Sequence, residues 1–520
     1  MRINHGPYFR VGRASDLSGK DRVLYRALEI LPGVLSWGSI LGLVFLSWVE
    51  PLWAAFFIIT FDIYWLVKTA YLSMHLRSNW KRMKHNIKLD WTKRLENIKY
   101  DNIWQLVILP FYKEDFDVIS KTIESLIASK WDREKMIIVL ACEDRAGENA
   151  RNTAEEIFKK FGQSFGEFII TRHPNDTPGE MAGKGSNISF AAEEARVKIL
   201  DRRNIKYEDV MVSAFDIDTR VYSQYFLCLT WNFLTAEKPF RSSFQPVPIY
   251  NNNIWESPAF SRVVATSGTF WQMIQQERPE RLATFSSHSI NFKALHDIGY
   301  WQKNMVSEDS RIFWNAFSYY NGDYEVIPLS YPVSMDANLA PSFFETVKNT
   351  YKQQRRWAWG VENIPYILFV FIKNKKIPLR KKIHASFVQL EGFWSLATNP
   401  LIIFFLGWTP LALGGQAFNK TLLSYNLPII TRDLMAVAMF GLILSIIVSM
   451  SFLPARPKNR SRSTYFFMVI QWALVPLTIN IFGSIPALDA QTRLMFGKYI
   501  GFWVTPKGDT QKSGRGSGEL

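Results

Sequence analysis

The chain is 520 residues long, room for roughly two to four domains, and carries a formal charge of +15 from 61 Lys+Arg against 46 Asp+Glu. Its basic residues flank long apolar runs in a sequence that is 48% hydrophobic, with 19 Trp and 39 Phe, so the charge points to a membrane and no nucleic-acid partner is expected. Only Cys142 and Cys228 occur, each inside an apolar stretch, which argues against a disulfide framework and fits a reducing compartment.

Residues 1–32 are polar and basic (Arg10, Arg13, Lys20, Arg22, Arg26) and are expected to carry no cleavable signal. Gly33–Val49 and Pro51–Met74 are each about long enough to cross a bilayer, so residues 33–74 read as a transmembrane hairpin turning at Glu50-Pro51. Asp62, inside the second run, reads as an acid facing the bundle interior. The basic stretch that follows (Lys81, Arg82, Lys84, Lys88, Lys93, Arg94) places residues 75–357 in the cytoplasm.

No segment from Trp104 to Trp357 could span a membrane, and strands alternate with helices there. Strands are expected at Gln105–Leu109, Met136–Ala141, Glu167–Thr171 and Asp209–Phe215, with helices at Phe116–Ser129, Asn149–Phe161 and around Ser189–Leu200. The alternation predicts a mostly parallel α/β sheet covered by helices, with ligands at the carboxyl ends of the strands.

Residues 358–385 read as an interfacial segment and 386–488 as a second transmembrane region. Phe387–Leu413 looks interfacial in its first part and spanning in its second, and Leu434–Leu453 is a clean span. Tyr465–Leu488 is apolar but interrupted by Pro476 and Pro486. A full crossing there would put Arg493, Lys498 and Lys507 outside, against the charge rule, so a re-entrant or interfacial hairpin is expected. Residues 489–520 end in a Gly/Ser/Lys-rich tail expected to be disordered.

The chemistry centres on Asp216-Ile217-Asp218, which follows the apolar run of the Asp209–Phe215 strand. Alternate side chains of a strand share a face, so both carboxylates are expected to point one way, as a hard divalent cation would require. Around this pair stand Pro110-Phe111-Tyr112-Lys113-Glu114, Cys142-Glu143-Asp144-Arg145, Gly183-Lys184-Gly185-Ser186-Asn187, Ser307-Glu308-Asp309 and Gln353-Gln354-Arg355-Arg356-Trp357. Singly each has a plain alternative: a solvated turn acid, a helix N-terminus with Ser as cap, an amphipathic interfacial helix.

As an ordered set they resemble the membrane-embedded family 2 glycosyltransferases, the group of cellulose, chitin and hyaluronan synthases. The resemblance implies a GT-A fold, Rossmann-like, inserted between transmembrane helices. It implies that Glu114, Glu143 and Asp144 contact the base and ribose of a nucleotide-sugar donor, although the family has Asp-Asp-Gly where this chain has Glu143-Asp144-Arg145. Lys184 and Asn187 match the loop near the nucleotide, and Asp216 and Asp218 the pair that binds its diphosphate through Mg²⁺ or Mn²⁺. Asp309, beside Glu308, matches the general base, with Ser307 in place of the family's Thr. Gln353, Arg356 and Trp357 match Gln-x-x-Arg-Trp, implying a guanidinium for the leaving diphosphate and a flat ring for the acceptor sugar. Phe285-Ser286-Ser287-His288-Ser289 stands where relatives have a Gly-containing acceptor loop, with His288 expected to support the loop. Phe502, Val504, Thr505 and Lys507 resemble the Phe-x-Val-Thr-x-Lys-Gly gating loop of bacterial cellulose synthases, a lid over the donor.

The expectation is therefore a multi-pass inner-membrane enzyme with a cytoplasmic catalytic domain. It would transfer a sugar, with inversion, from a UDP-sugar to a growing polysaccharide, an extension that export can accompany. A non-processive transferase acting on a lipid-linked acceptor is the nearest alternative, and a non-catalytic transporter or scaffold the alternative of another class.

Overall fold

The structure, a computed structural model, describes residues 7–504. An eight-stranded curled sheet forms the centre, built from β1 (Trp104–Phe111), β2 (Met136–Glu143), β3 (Glu167–His173), β4 (Val210–Ala214), β5 (Arg220–Val221), β6 (Ser242–Tyr250), β7 (Ser289–Asn291) and β8 (Glu325–Met335). Its order is β3-β2-β1-β4-β7-β6-β8-β5. β3, β2, β1 and β4 run parallel, β7 is antiparallel to both β4 and β6, and β8 pairs with β6 in parallel.

Strands covered on both faces need no polar side, which is why β1 and β2 read as unbroken apolar runs. Leu106 to Leu109 and Met136 to Ala141 are all completely buried. One face packs on helices Lys184–Ala195, Glu308–Tyr319 and Asn363–Lys373. The other packs on Phe116–Ile127, Glu148–Phe161 and Tyr225–Thr235. Two boundaries differ from the sequence reading, and both matter for the site. The helix expected near Ser189 begins at Lys184, where the Asn187 amide already donates to Gly183 O at 3.2 Å. β4 stops at Ala214, because the chain turns there and Thr219 N donates to Asp216 O at 2.9 Å.

Apolar helices stand at both ends of the chain. By length and composition four described helices could cross a membrane: Gly19–Val49, Pro51–Lys88, Leu422–Ser451 and Ser463–Met495. The pair Leu379–Phe404 and Leu406–Leu413, bent by 48°, could be a fifth. Packing sorts them. The bent pair runs along the first helix, with Trp394 donating to Ser39 at 2.9 Å and Thr409 reaching Ser47 at 2.8 Å, close to the Glu50-Pro51 turn. Leu422–Ser451 returns along the second helix, from Leu427 beside Ala54 and Ile58 to Ser451, which accepts from Trp80 at 2.8 Å. Asp62 is buried in this bundle, facing inward.

The Ser463–Met495 run behaves differently. It is broken into short pieces around Pro476 and Pro486 and lies along the sheet domain. Arg262 donates to Gln471 at 2.6 Å, Trp472 stacks on Phe270 at 5.5 Å, and Phe482 stacks on Phe260 at 5.4 Å. Farther on, Arg355 donates to Asp489 at 2.9 Å, and Arg26 donates to Leu494 O at 2.9 Å and to Met495 O. A straight 33-residue helix would extend about 50 Å; this one keeps contact with the same domain from Gln471 to Asp489. The chain therefore leaves Met495 beside the sheet domain.

This packing has a direct labelling consequence. Single cysteines at Lys498 and at the exposed Glu148 of the sheet domain should react with an impermeant thiol reagent from one side of the membrane, and one at Lys420 from the other. The native Cys142 and Cys228 are buried and should stay silent. Reaction of Lys498→Cys together with Lys420→Cys would overturn the arrangement.

Candidate active site

The site forms where the turn after β4, the Gly183–Asn187 segment and the Ser307–Asp309 segment meet. Lys184, on the first turn of its helix, projects its ammonium between two carboxylates. Nζ lies 2.7 Å from Asp216 Oδ1 and 3.0 and 2.9 Å from the two oxygens of Asp309. Lys184 is only 8% exposed, whereas about a quarter of each carboxylate is open. Burial alone would pull the ammonium toward neutrality, but Asp216, Asp309 and Glu308 outweigh it and hold Lys184 charged, above its ordinary value.

Asp216 and Asp218 do not share a strand face as the alternation rule suggested. They sit in the turn beyond Ala214, where their carboxylates take different partners. Asp216 Oδ2 accepts from Ser286 Oγ at 2.7 Å, while the buried Asp218 accepts from the Asp336 amide at 3.0 Å. No cluster of three or more His, Cys, Asp or Glu side chains able to hold a metal occurs among the described residues. The donor set is nonetheless all hard oxygen, and a diphosphate with water can supply the remaining ligands, so the pair fits a divalent cation that arrives with its substrate.

Glu308 and Asp309 open the Glu308–Tyr319 helix. Burial, then the neighbouring Asp309 charge, pushes the Glu308 carboxyl well above the usual carboxylate range, and its Oε2 has no hydrogen-bond partner among the described residues. Ser307 precedes the helix but does not cap it with its own side chain. Its hydroxyl and amide go instead to Glu362, at 2.7 and 2.9 Å. His288 is fully buried, which pulls its imidazole below the ordinary value. Nε2 accepts from the Trp301 indole at 3.1 Å, so Nδ1 carries the proton donated to Phe285 O at 2.7 Å. That tautomer holds the loop carrying Ser286.

On the side of β1 and β2 the acids are more self-contained than the sequence implied. Glu114 folds back onto its own loop, accepting from Tyr112 N at 2.7 Å and Lys113 N at 3.1 Å. Glu143 is buried and paired with Arg145 at 2.5 Å, and Arg145 in turn stacks over Tyr112 at 4.5 Å. The arginine that replaces the family's glycine thus neutralises Glu143, leaving Asp144, bridged to Arg151 at 3.1 Å, as the more open acid. Asn187 is buried and donates to Ala141 O at 2.8 Å, tying the Lys184 helix to the end of β2.

Helix Phe343–Ala358 brings Gln353, Arg356 and Trp357 to the opposite side. Trp357 is 38% exposed and lies 5.8 Å from the ring of Tyr250, at the end of β6. Gln353 and Trp357 line a small cavity with Tyr250, Asp336 and Asn338. Burial, then the charges of Asp216 and Asp218, raises the Tyr250 phenol, so its hydroxyl stays protonated and able to donate beside the carboxylates. The Arg356 guanidinium lies 5.2 Å from the Phe502 ring, and its buried Nε has no partner among the described residues. Phe502 packs so closely on Gly183 that a β-carbon there would stand 2.7 Å from its ring, which is why that position is glycine. Val504 ends the described chain; Thr505 and Lys507 lie outside the described residues.

Sequence reasoning did not single out Tyr250, Asp336 or Glu362 as parts of the site. Tyr250 and Asp336 follow strands as ordinary terminal residues, and Glu362 lies five residues beyond Trp357 with no pattern to mark it. Ser286 was visible only as part of a loop.

Replacing Lys184 with Met should leave two partly buried carboxylates without their shared cation, with a loss of about 1–3 kcal/mol near neutral pH. In the unmodified protein Lys184, whose value is raised, contributes fully below its unfolded pKa of about 10.4 and loses that contribution only at still higher pH. The deficit should therefore be steady from about pH 6 to 9, below the unfolded lysine value. Thermal unfolding of both proteins at about pH 6 and pH 9 checks this; a deficit that disappears at either value would contradict it.

Residues 211–479 match the family model described as glycosyl transferase family group 2. The chain is 25% identical over 362 residues to the poly-β-1,6-N-acetyl-D-glucosamine synthase of Staphylococcus aureus (strain MSSA476), covering 68% of this chain and 74% of that one. It is 29% identical over 140 residues to the Staphylococcus epidermidis enzyme of the same name, 26% of this chain and 29% of that one. Among solved structures, mannosyltransferase PcManGT from Pyrobaculum calidifontis is similar with a TM-score of 0.40 at 13% identity, over 81% of this chain and 99% of that one. Residues 1–349 of TarS from S. aureus give 0.31 at 12% identity, over 67% of this chain and 91% of that one. The chain belongs to glycosyl transferase family group 2 and is a glycosyltransferase.

Proposed function

We propose that this glycosyltransferase extends a polysaccharide at the membrane by inverting transfer from a UDP-sugar, with N-acetylglucosamine the first sugar to test. The observation that carries the reading is the Lys184 bridge, which gathers the Asp-x-Asp turn and the Ser-Glu-Asp helix around one charged nitrogen. The polymer and the sugar are supported by the names of the curated relatives, matched over two thirds of the chain.

In this reading the acceptor hydroxyl attacks the anomeric carbon as the bond to the diphosphate breaks, and Asp309 takes the hydroxyl proton. Lys184 Nζ, 2.9 Å from Asp309 Oδ2, sets a positive charge beside the carboxylate that receives it. Glu308, held largely protonated, does not compete as a second base. Asp216 and Asp218 would hold Mg²⁺ or Mn²⁺ with the diphosphate, and the bound ion would neutralise charge building on the leaving group. Arg356, whose Nε has no partner among the described residues, adds a second cation on that side. Trp357 with Tyr250 offers aromatic surface to the acceptor sugar. Asp144 is the favoured contact for the ribose, since it is the more open acid while Glu143 is buried against Arg145.

The sheet domain is assigned to the cytoplasm, on the evidence of the basic residues flanking the helices. The segment through Phe502 and Val504 then acts as a lid, supported by the contacts of Phe502 with Gly183 and Arg356. The lipid bilayer surrounds the helices at both ends of the chain.

Membranes containing the protein, given a panel of radiolabelled nucleotide sugars, should incorporate label from one of them into a product of many sugars. Asp309→Asn should lower that incorporation about 10²–10⁴-fold while nucleotide binding stays near normal. Transfer at the unmodified rate by Asp309→Asn would remove the base assignment, and a product of one added sugar would remove the polymer.

A further inference from the structure

We propose that Glu362 is a positioning residue for sugar transfer, a latch that sets the Asp309 helix against the helix carrying Trp357. The inference rests on the reading of Asp309 as the base, and nothing in the sequence pattern assigned Glu362 a role.

Glu362 lies in the short Trp359–Glu362 helical turn directly after the Phe343–Ala358 helix. It is buried, at 6% exposure, yet every contact of its carboxylate is directional. Oε1 accepts three hydrogen bonds from the start of the other helix: Val306 N at 3.2 Å, Ser307 N at 2.9 Å and Ser307 Oγ at 2.7 Å. Oε2 accepts from the Trp359 indole at 2.9 Å, two residues beyond Trp357. One carboxylate therefore joins the residue before Glu308-Asp309 to the end of the acceptor-side helix.

Burial pushes the Glu362 carboxyl up, but Arg311 and the Ser307 donors oppose it. Arg311 is itself fully buried and grips the same junction, donating to Asn363 Oδ1 at 2.6 Å and Glu362 O at 3.2 Å. Asn363 donates on to Ser310 at 2.9 Å. The two residues leading into the base helix, Val306 and Ser307, thus find their acceptor on a distant segment, and Ser307 spends its hydroxyl there instead of capping the helix. A local cap would leave the start of the helix free to shift; the bond to Glu362 fixes its position relative to Trp357. Transfer needs the base and the acceptor sugar in register, and a displacement of about 1 Å can cost about 10²-fold in rate.

The test exploits a property of glutamine. Its side chain keeps the size of glutamate but presents one acceptor and one donor, so it cannot accept at both ends. In Glu362→Gln either Ser307 or the Trp359 indole meets an N–H instead of an oxygen. In the full-length protein, reconstituted in bilayers, kcat for transfer should fall about 10–100-fold. KM for the donor and the affinity for UDP should stay within about threefold, because the latch touches neither. Adding Trp359→Phe removes the indole donor, so the double variant should regain at least about fivefold in kcat over Glu362→Gln alone. A purely structural role would predict the opposite, two losses accumulating.

Unchanged kcat in Glu362→Gln, equal losses in kcat and UDP affinity, or no recovery in the double variant would each overturn the proposal. Should Glu362→Gln fail to fold, Ser307→Ala decides: a kcat loss of at least about threefold with unchanged UDP affinity supports the latch, and none defeats it. Asp309→Asn run beside them separates the two readings. If Asp309→Asn transfers normally, the base assignment has failed. If it is inactive while Glu362→Gln is normal, only the latch has.

Discussion

A buried ammonium cannot stand alone, and carboxylates facing each other in a protein interior cannot both stay ionised without a cation between them. Lys184, Asp216 and Asp309 solve the two problems together. Much of the catalytic domain can be understood as the scaffold for that arrangement. β1 and β4 deliver the turn bearing Asp216, the bond from Asn187 to the end of β2 seats the Lys184 helix, and the Glu308–Tyr319 helix supplies Asp309. The resulting charge pattern suits a ligand that brings negative phosphate and positive metal together, since each can be exchanged against a charge already present.

The same site shows how polar support is layered behind reacting groups. His288, held as one tautomer by Trp301 and Phe285 O, sets the loop that bears Ser286, and Ser286 orients Asp216. Together they decide where the Asp216 oxygens point. Arg145 illustrates the cost of reading a motif by type alone. It turns Glu143 inward as a salt bridge and shifts the open acid to Asp144.

Segments near the two ends of the described chain meet beside the sheet domain. Tyr499 bonds to Glu29 at 2.8 Å, and Arg26 holds the carbonyls that end the Ser463–Met495 run. Val306, Trp359, Ala490, Leu494 and Phe502 then share one apolar cluster. The C-terminal segment is thereby packed against the residue that leads into the Glu308–Tyr319 helix. The proline-broken run can lie along the sheet domain because its side chains Gln471, Trp472, Phe482 and Asp489 find partners there.

The parallel sheet was legible in the sequence because its period and its unbroken apolar strands follow from local chemistry: buried on both faces, β1 and β2 have no polar alternation to display. The carboxylates, the lysine and the Gln-x-x-Arg-Trp helix were legible for the same reason, as rare residue types in a set order. What the sequence could not decide was direction. The strand rule placed Asp216 and Asp218 on one face, but the chain turned after Ala214, and that turn depends on contacts from Ser286 and Asp336, which lie 70 and 118 residues away. Glu362 left no mark at all, since a single glutamate in an apolar segment has no periodicity and its partner Ser307 lies 55 residues earlier. Residue type and spacing are local properties, whereas hydrogen-bond partners across the fold exist only once the helices have packed.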